Sequence, residues 1–285
     1  MIEADPHPPF QSYADPSRLV SAPWLSARLG LPGLRVIEVD EDTLLYDIGH
    51  LPTATRINFH NELMDEVTRD VVSPEKFAAL MQEKGINRED TIVLYGDKNN
   101  WWAAYALWIF TLYGHPDVRL LDGGRDAWMT EERDTSYMVP EFPTSEYPVT
   151  PRDDASHRTF VDQLKGQHLV DTRSEAEFHG APTESSTAGD SAYGTTIRHG
   201  HIPGATHLDW RLTVHPNGAF RSRENLDETF AELDPKQPTT LYSHVGAQSA
   251  HTWFVLKYLL GFKEVRNYDG SWAEWGNMVR MPIER

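Results

Sequence analysis

The chain has 285 residues, 39% hydrophobic and 11% aromatic, enough apolar material for two ordinary domains and too much for a disordered chain. Its 26 Lys and Arg against 43 Asp and Glu leave a net charge of −17, which argues against nucleic acid or an anionic membrane as a partner, since both need a basic surface. No cysteine is present, so disulfides, thiolate zinc sites and thiol nucleophiles are excluded for this sequence.

In chain order, the start carries neither a basic cluster nor an apolar run, so no secretory signal is expected and the reading is cytoplasmic. Residues 34–39 read as a strand, 74–84 as a helix and 91–95 as a buried strand. An apolar helix over 101–113, closed by Gly114, and a strand over 118–121 complete the first half. The longest apolar run falls far short of the ~18 residues a membrane span requires. A proline-rich linker is expected over 139–151, with Pro140, Pro143, Pro148 and Pro151. The second half follows the same plan: strand 168–171, helix 226–233, strand 239–242, helix 250–260 and strand 265–268. A stretch rich in Thr, Ser and Gly, 181–199, reads as a surface loop or a lid. Strands alternating with helices predict an α/β fold, with mostly parallel sheets covered on both faces.

The two halves are repeats. At an offset of 147, Leu94-Tyr95 falls on Leu241-Tyr242, and Gly114, Val118, Arg119, Asp122, Gly123 and Trp128 fall on Gly261, Val265, Arg266, Asp269, Gly270 and Trp275 without a gap. Upstream, Gly49-His50-Leu51-Pro52-Thr53-Ala54 echoes Gly200-His201-Ile202-Pro203-Gly204-Ala205. A repeat this long implies two domains of one fold, expected over 16–138 and 152–285.

In open α/β sheets, ligands bind beyond the carboxyl ends of strands, where the next helix begins. Two such turns are aligned by the repeat: Gly96-Asp97-Lys98-Asn99-Asn100 and Ser243-His244-Val245-Gly246-Ala247-Gln248. In the second, consecutive backbone N–H groups at a helix start would form an anion cradle. The same residues also suit an ordinary turn capped by Ser243 or Ser249.

Both halves resemble the tandem rhodanese-like sulfurtransferases. The resemblance is carried by the paired GHxPxA segments, by Val170-Asp171-Thr172-Arg173-Ser174, and by the run from Asn267-Tyr268-Asp269-Gly270-Ser271 through Trp272-Ala273-Glu274-Trp275-Gly276-Asn277. It implies two rhodanese-like domains, the first structural and the second bearing the active loop at 243–249. It also implies transfer of sulfane sulfur from thiosulfate or a related donor to a thiophilic acceptor such as cyanide or a thiol. No metal or organic cofactor is implied.

In that family the loop opens with a cysteine, which carries the sulfur as a persulfide. Ser243 stands there instead. A thiol ionises near pH 8.5, and lower at a helix start, whereas a serine hydroxyl needs an adjacent base. Oxygen also cannot replace sulfur in a reversible persulfide, so no sulfur transfer is expected from the Ser243 chain. An engineered Cys→Ser change is the favoured explanation; the alternative is a naturally non-catalytic module that binds an anion or a protein.

By the same resemblance, His244, Val245, Gly246, Ala247, Gln248 and Ser249 would supply the donor site, with Trp101 and Trp102 of the first domain facing it. Trp101 and Trp102 equally suit core packing. His244 and Gln248 occupy positions where many relatives carry arginine, and Glu177 stands where some carry another, which leaves room for a less charged donor. Arg173 would brace Asp171 behind the loop, and Trp272 and Trp275 would pack beneath it. A related phosphatase needs an arginine six residues after the nucleophile, where Ser249 stands, and no GxSxG elbow supports a serine hydrolase. His199, His201, His207 and His215 lack ligand spacing and read as turn or solvated histidines.

Overall fold

A computed structural model describes residues 2–40, 44–182 and 196–285. The chain divides into two compact units, one running as far as Asp153 and taking in Pro216–Phe220, the other comprising Asp154–His215 and Arg221–Arg285.

Unit 1 contains β1 (Leu19–Val20), α1 (Ala22–Ser26), β2 (Leu34–Asp40), α2 (Leu44–Asp47) and β3 (Thr55–Asn58). It continues with α3 (Pro74–Glu83), β4 (Thr91–Tyr95), α4 (Trp101–Leu112), β5 (Val118–Leu121) and α5 (Gly124–Thr130). Its strands are all paired in parallel, in the order β1-β5-β4-β2-β3. Every residue of β4 is buried, as a central parallel strand covered on both faces requires. α4 is apolar nearly all round and is buried nearly all round. α3 starts where Pro74 presets the first helical φ and Ser73 Oγ accepts the Lys76 N–H at 3.3 Å.

Unit 2 contains α6 (Asp154–His157), β6 (His168–Asp171), α7 (Glu175–Phe178), β7 (Thr206–His207) and α8 (Arg223–Thr229). It ends with β8 (Thr239–Tyr242), α9 (Ala247–Phe254), β9 (Val265–Asn267) and α10 (Ser271–Trp275). Its sheet is again parallel, in the order β7-β6-β8-β9. Where unit 1 adds β1 beside β5, unit 2 has a single bridge between Arg158 and Asn267.

Several boundaries differ from the sequence reading for identifiable reasons. α8 begins before its apolar seed Leu226, because Ser222 Oγ accepts the Asn225 N–H at 3.3 Å and starts the helix there. α9 begins at Ala247 and passes into wider π turns over Val255–Leu260, which end at the left-handed Gly261. The 139–151 segment is irregular but held to unit 1: Tyr147 is buried, its hydroxyl lies 2.8 Å from His115 Nδ1, and its carbonyl accepts from Gln82 Nε2 at 2.8 Å. Pro216–Phe220 likewise joins unit 1, where the Phe220 N–H donates to Asp122 at 2.9 Å. Of the 181–199 stretch, residues 183–195 lie outside the described residues. Arg198, beyond them, donates to the carbonyls of Trp275, Gly276, Met278 and Met281. No described helix is long and apolar enough to cross a membrane.

Candidate active site in the second unit

Behind the loop, Asp171 at the end of β6 pairs in register with Tyr242 at the end of β8. Arg173 folds back so that its Nε lies 3.0 Å from Asp171 Oδ1, while its terminal nitrogen donates to the Gly200 carbonyl at 2.8 Å. Both side chains are buried. Burial alone would favour a neutral guanidinium, but the Asp171 charge and hydrogen bonds outweigh it and the Arg173 pKa rises. The guanidinium also lies 4.5 Å from the ring centre of Trp272, whose indole N–H donates to the Arg198 carbonyl. The Tyr242 hydroxyl accepts the Ile202 N–H at 3.1 Å, which ties the GHxPxA turn to the strand end.

The loop between β8 and α9 is clamped from the opposite side by the start of α10. Trp272 N–H donates to the Ser243 carbonyl at 3.0 Å and Ala273 N–H to the His244 carbonyl at 2.9 Å. Ser271 Oγ accepts the Ser243 N–H at 3.1 Å and donates to the Tyr268 carbonyl at 2.8 Å. Gly246 then turns the chain into α9 with φ of +93°, where a Cβ would be strained.

That turn points the Gly246 N–H inward, 3.0 Å from Ser243 Oγ. Ser249 Oγ lies 3.2 Å from the same oxygen. Ser243 is wholly buried, and its Oγ has these two partners among the described residues. Neither is a base that could remove its proton. His244, Val245 and Ala247 are buried, and Gln248 is half-buried with its Oε1 enclosed and without a partner among the described residues. His251, further along α9, is wholly buried; burial lowers its pKa to about 3, so it is neutral at physiological pH.

The sequence-derived positions thus separate into groups. Residues 243–249 form one loop, with Asp171, Arg173 and Trp272 around its base. Trp102 is buried in unit 1 against Phe59, His60 and Tyr105, with ring centres 4.8, 5.1 and 6.4 Å away, and Trp101 opens α4. Glu177 is engaged in capping α7, accepting from the Ser174 hydroxyl at 2.7 Å and its N–H at 3.2 Å. His201 stacks on Phe178 with ring centres 3.6 Å apart, and His207 Nε2 lies 2.8 Å from the Arg173 carbonyl. Two contributors to the loop were not singled out from the sequence, Asn267 and Ser271. For Asn267 the readable signal was a carboxamide in a strand that the repeat aligns with the buried β5, a residue that needs partners once buried.

A strand-ending loop that turns into a helix through a left-handed glycine, on a parallel sheet that occurs twice in the chain, defines a tandem rhodanese-like protein. The chain belongs to that family: the rhodanese-like domain matches residues 21–131 and 156–278. Its likeness to whole sulfurtransferases makes it a member of that enzyme group. It is 59% identical to the thiosulfate sulfurtransferase of Corynebacterium glutamicum over 98% of this chain and 94% of that protein. It is also 45% identical to the sulfur carrier protein TtuD of Thermus thermophilus, over 96% of this chain and 98% of that one. Among solved structures, the 3-mercaptopyruvate enzyme SseA of Escherichia coli shares the fold, with a TM-score of 0.75 at 23% identity over 90% of this chain and 98% of that one.

Proposed function

We propose that this chain is the scaffold of a sulfurtransferase that moves sulfane sulfur from thiosulfate, or a related small anionic donor, to cyanide or a thiol through a persulfide at position 243. The Ser243 chain is the silent form of that enzyme, produced by an engineered Cys→Ser change. The observation that carries this reading is the inward Gly246 N–H, 3.0 Å from the side-chain atom at the head of the loop. An amide aimed at that atom stabilises negative charge developing there. Unit 1 serves as a structural repeat.

With cysteine at position 243, the thiolate attacks the outer sulfur of thiosulfate. A new S–S bond forms at that cysteine as the donor's own S–S bond breaks, and sulfite leaves with the electron pair. Cyanide or a thiolate then attacks the outer persulfide sulfur, and the cysteine thiolate departs with its electrons. The donor's sulfane sulfur is handed on without net change in the enzyme, so no metal or organic cofactor is needed. The Gly246 amide, with the loop around it from His244 to Ser249, holds the persulfide. With serine, the hydroxyl has no adjoining base among the described residues and forms no exchangeable bond to sulfur.

The acidic balance of the chain fits a small-molecule site on a cytoplasmic protein that contacts neither nucleic acid nor membrane. The test is thiocyanate formation from thiosulfate and cyanide by this chain and by Ser243→Cys, with 3-mercaptopyruvate as a second donor. Turnover by the substituted chain alone is expected. Turnover by the Ser243 chain, or a folded Ser243→Cys chain inert with both donors, would overturn the reading.

A further inference from the structure

The Pro216–Phe220 segment, which packs on unit 1, holds the one asparagine in the chain that a glycine follows, Asn217. Asn217 is exposed and Gly218 is buried. Asn217 Oδ1 accepts the Ala219 N–H at 3.2 Å, which folds the carboxamide back along the main chain beside Gly218. Gly218 has φ of +81°, and a Cβ there would lie 2.8 Å from Asn99 Oδ1 and 3.3 Å from the Gly123 carbonyl oxygen. Two residues on, the Phe220 N–H donates to Asp122 Oδ1 at 2.9 Å.

These are the parts of an intramolecular acyl transfer. The Gly218 nitrogen is the nucleophile, and its N–H donates to no acceptor among the described residues. Glycine has no side chain to hinder its approach to Asn217 Cγ. The Ala219 N–H polarises the carboxamide and faces the oxygen on which negative charge develops. Once solvent base takes the Gly218 proton, a bond forms between Gly218 N and Asn217 Cγ. The Cγ–Nδ2 bond breaks, and ammonia leaves with that electron pair and a proton from water. Water then opens the cyclic imide at either carbonyl. One product is aspartate; the other is isoaspartate, whose main chain runs through the former side chain.

We infer that Asn217 is a site of spontaneous deamidation, and that its conversion releases the Pro216–Phe220 segment from unit 1. Either product adds a carboxylate next to the amides of Ala219 and Phe220, the second of which Asp122 already holds. Asp122 has no cation beside it among the described residues, whereas Asp269, its counterpart in the repeat, pairs with Arg158 at 2.7 Å. The added charge is therefore uncompensated. Isoaspartate also lengthens the main chain by one carbon. Gly218, fitted against Asn99 and Gly123, cannot absorb that while Phe220 keeps its place. Because Gly218 is buried when the segment is seated, solvent base reaches its nitrogen as the segment lifts. Seating thus slows the conversion, and conversion prevents seating, which makes the change one-way. Nothing in this inference depends on the reaction at position 243.

The test is incubation of the chain, folded and in urea, with residue 217 followed by peptide mass mapping and the Phe220 amide by hydrogen exchange. Burial raises the Asp122 pKa to about 7, so about pH 8 keeps it ionised. Lifting breaks one hydrogen bond and the Gly218 contacts, so conversion in the folded chain is expected about tenfold slower than in urea. The converted chain is expected to exchange its Phe220 amide about tenfold faster than the unconverted one. Asn217→Asp, which adds the charge without the longer main chain, should give a smaller rise. Asp122→Ala, which removes the acceptor for Phe220, should bring the folded rate close to the rate in urea. Asn217 left intact in the folded chain when the urea sample has converted and the folded sample has had a hundredfold longer, about the span a tightly held segment would need, overturns the inference. So does a converted chain whose Phe220 amide exchanges no faster than before.

Discussion

In unit 1 the guanidinium that closes the strand ends comes from Arg125 on α5; in unit 2 it comes from Arg173, just past β6. The task is the same in both. Arg125 pairs with Glu38 at 3.0 Å and donates to the Gly49 carbonyl, as Arg173 pairs with Asp171 and donates to the Gly200 carbonyl. Glu38 lies in register with Tyr95, as Asp171 does with Tyr242, and the tyrosine hydroxyls accept from Leu51 and Ile202, each at 3.1 Å. Supplying the arginine from the strand end leaves Arg125's aligned position to Trp272, whose ring backs the guanidinium.

The loops differ more. In unit 1 the first amide, Gly96 N–H, is taken by Asn100 Oδ1 from within the loop at 3.0 Å, and Asn100 Nδ2 donates to the Leu121 carbonyl at 2.7 Å. Asn100 therefore fills the interior, which requires left-handed Lys98, Asn99 and Asn100 and a glycine at 124, where a Cβ would lie 2.3 Å from Asn100 Oδ1. In unit 2, Ser271, aligned with Gly124, takes the first amide from outside the loop, and the interior belongs to the side chain of residue 243. One repeat fills its loop with the side chain of Asn100, and the other with the side chain of residue 243.

The sharpest way to break this comparison is to remove either arginine. Arg125→Met and Arg173→Met each strand a buried carboxylate, and each should destabilise its unit by about 3–5 kcal/mol in chemical denaturation. A loss below about 1 kcal/mol in either would mean that the two pairs are not equivalent. A smaller effect is expected at Gly96, where a Cβ would lie 2.4 Å from the Val39 carbonyl oxygen. Gly96→Ala should cost about 1–3 kcal/mol, whereas Ser243→Ala, which keeps its Cβ in place, should cost less.

The smallest effect concerns the carboxyl cluster that unit 1 has beside its loop. Asp40 accepts the Asp97 N–H at 2.7 Å. Burial, then the charges of Asp97 and Glu38, push its pKa well above the ordinary carboxylate range. The folded chain thus retains a proton that the unfolded chain loses above about pH 4, and this contribution to stability declines as pH rises toward the folded value. Asp40→Asn, which mimics the protonated acid, should flatten that decline and raise stability at pH 8 by about 1 kcal/mol relative to its effect at pH 4. An equal effect at both pH values would show Asp40 ionised in the folded chain.

The doubled parallel-sheet plan was legible because buried strands such as 91–95 and 239–242 are short apolar runs, and because the repeat aligns them without a gap. The loop at 243–249 was legible for the same reason. The hydrogen bonds that hold that loop were not, since Asn267 and Ser271 reach it from other elements and only the packing of β9 and α10 brings them there. The two routes to one buried guanidinium were hidden as well: aligned by sequence, Arg125 falls on Trp272, and the exchange is visible only when each guanidinium is traced to the matching carbonyl of its own unit.

The most direct measurement is the intact mass of the Ser243→Cys chain and of the Ser243 chain after exposure to thiosulfate, then after cyanide. The account predicts one added sulfur on the cysteine chain, removed by cyanide with release of thiocyanate, and no addition to the serine chain. Sulfur bound by the serine chain, or turnover by a cysteine chain that never carries sulfur, would contradict it.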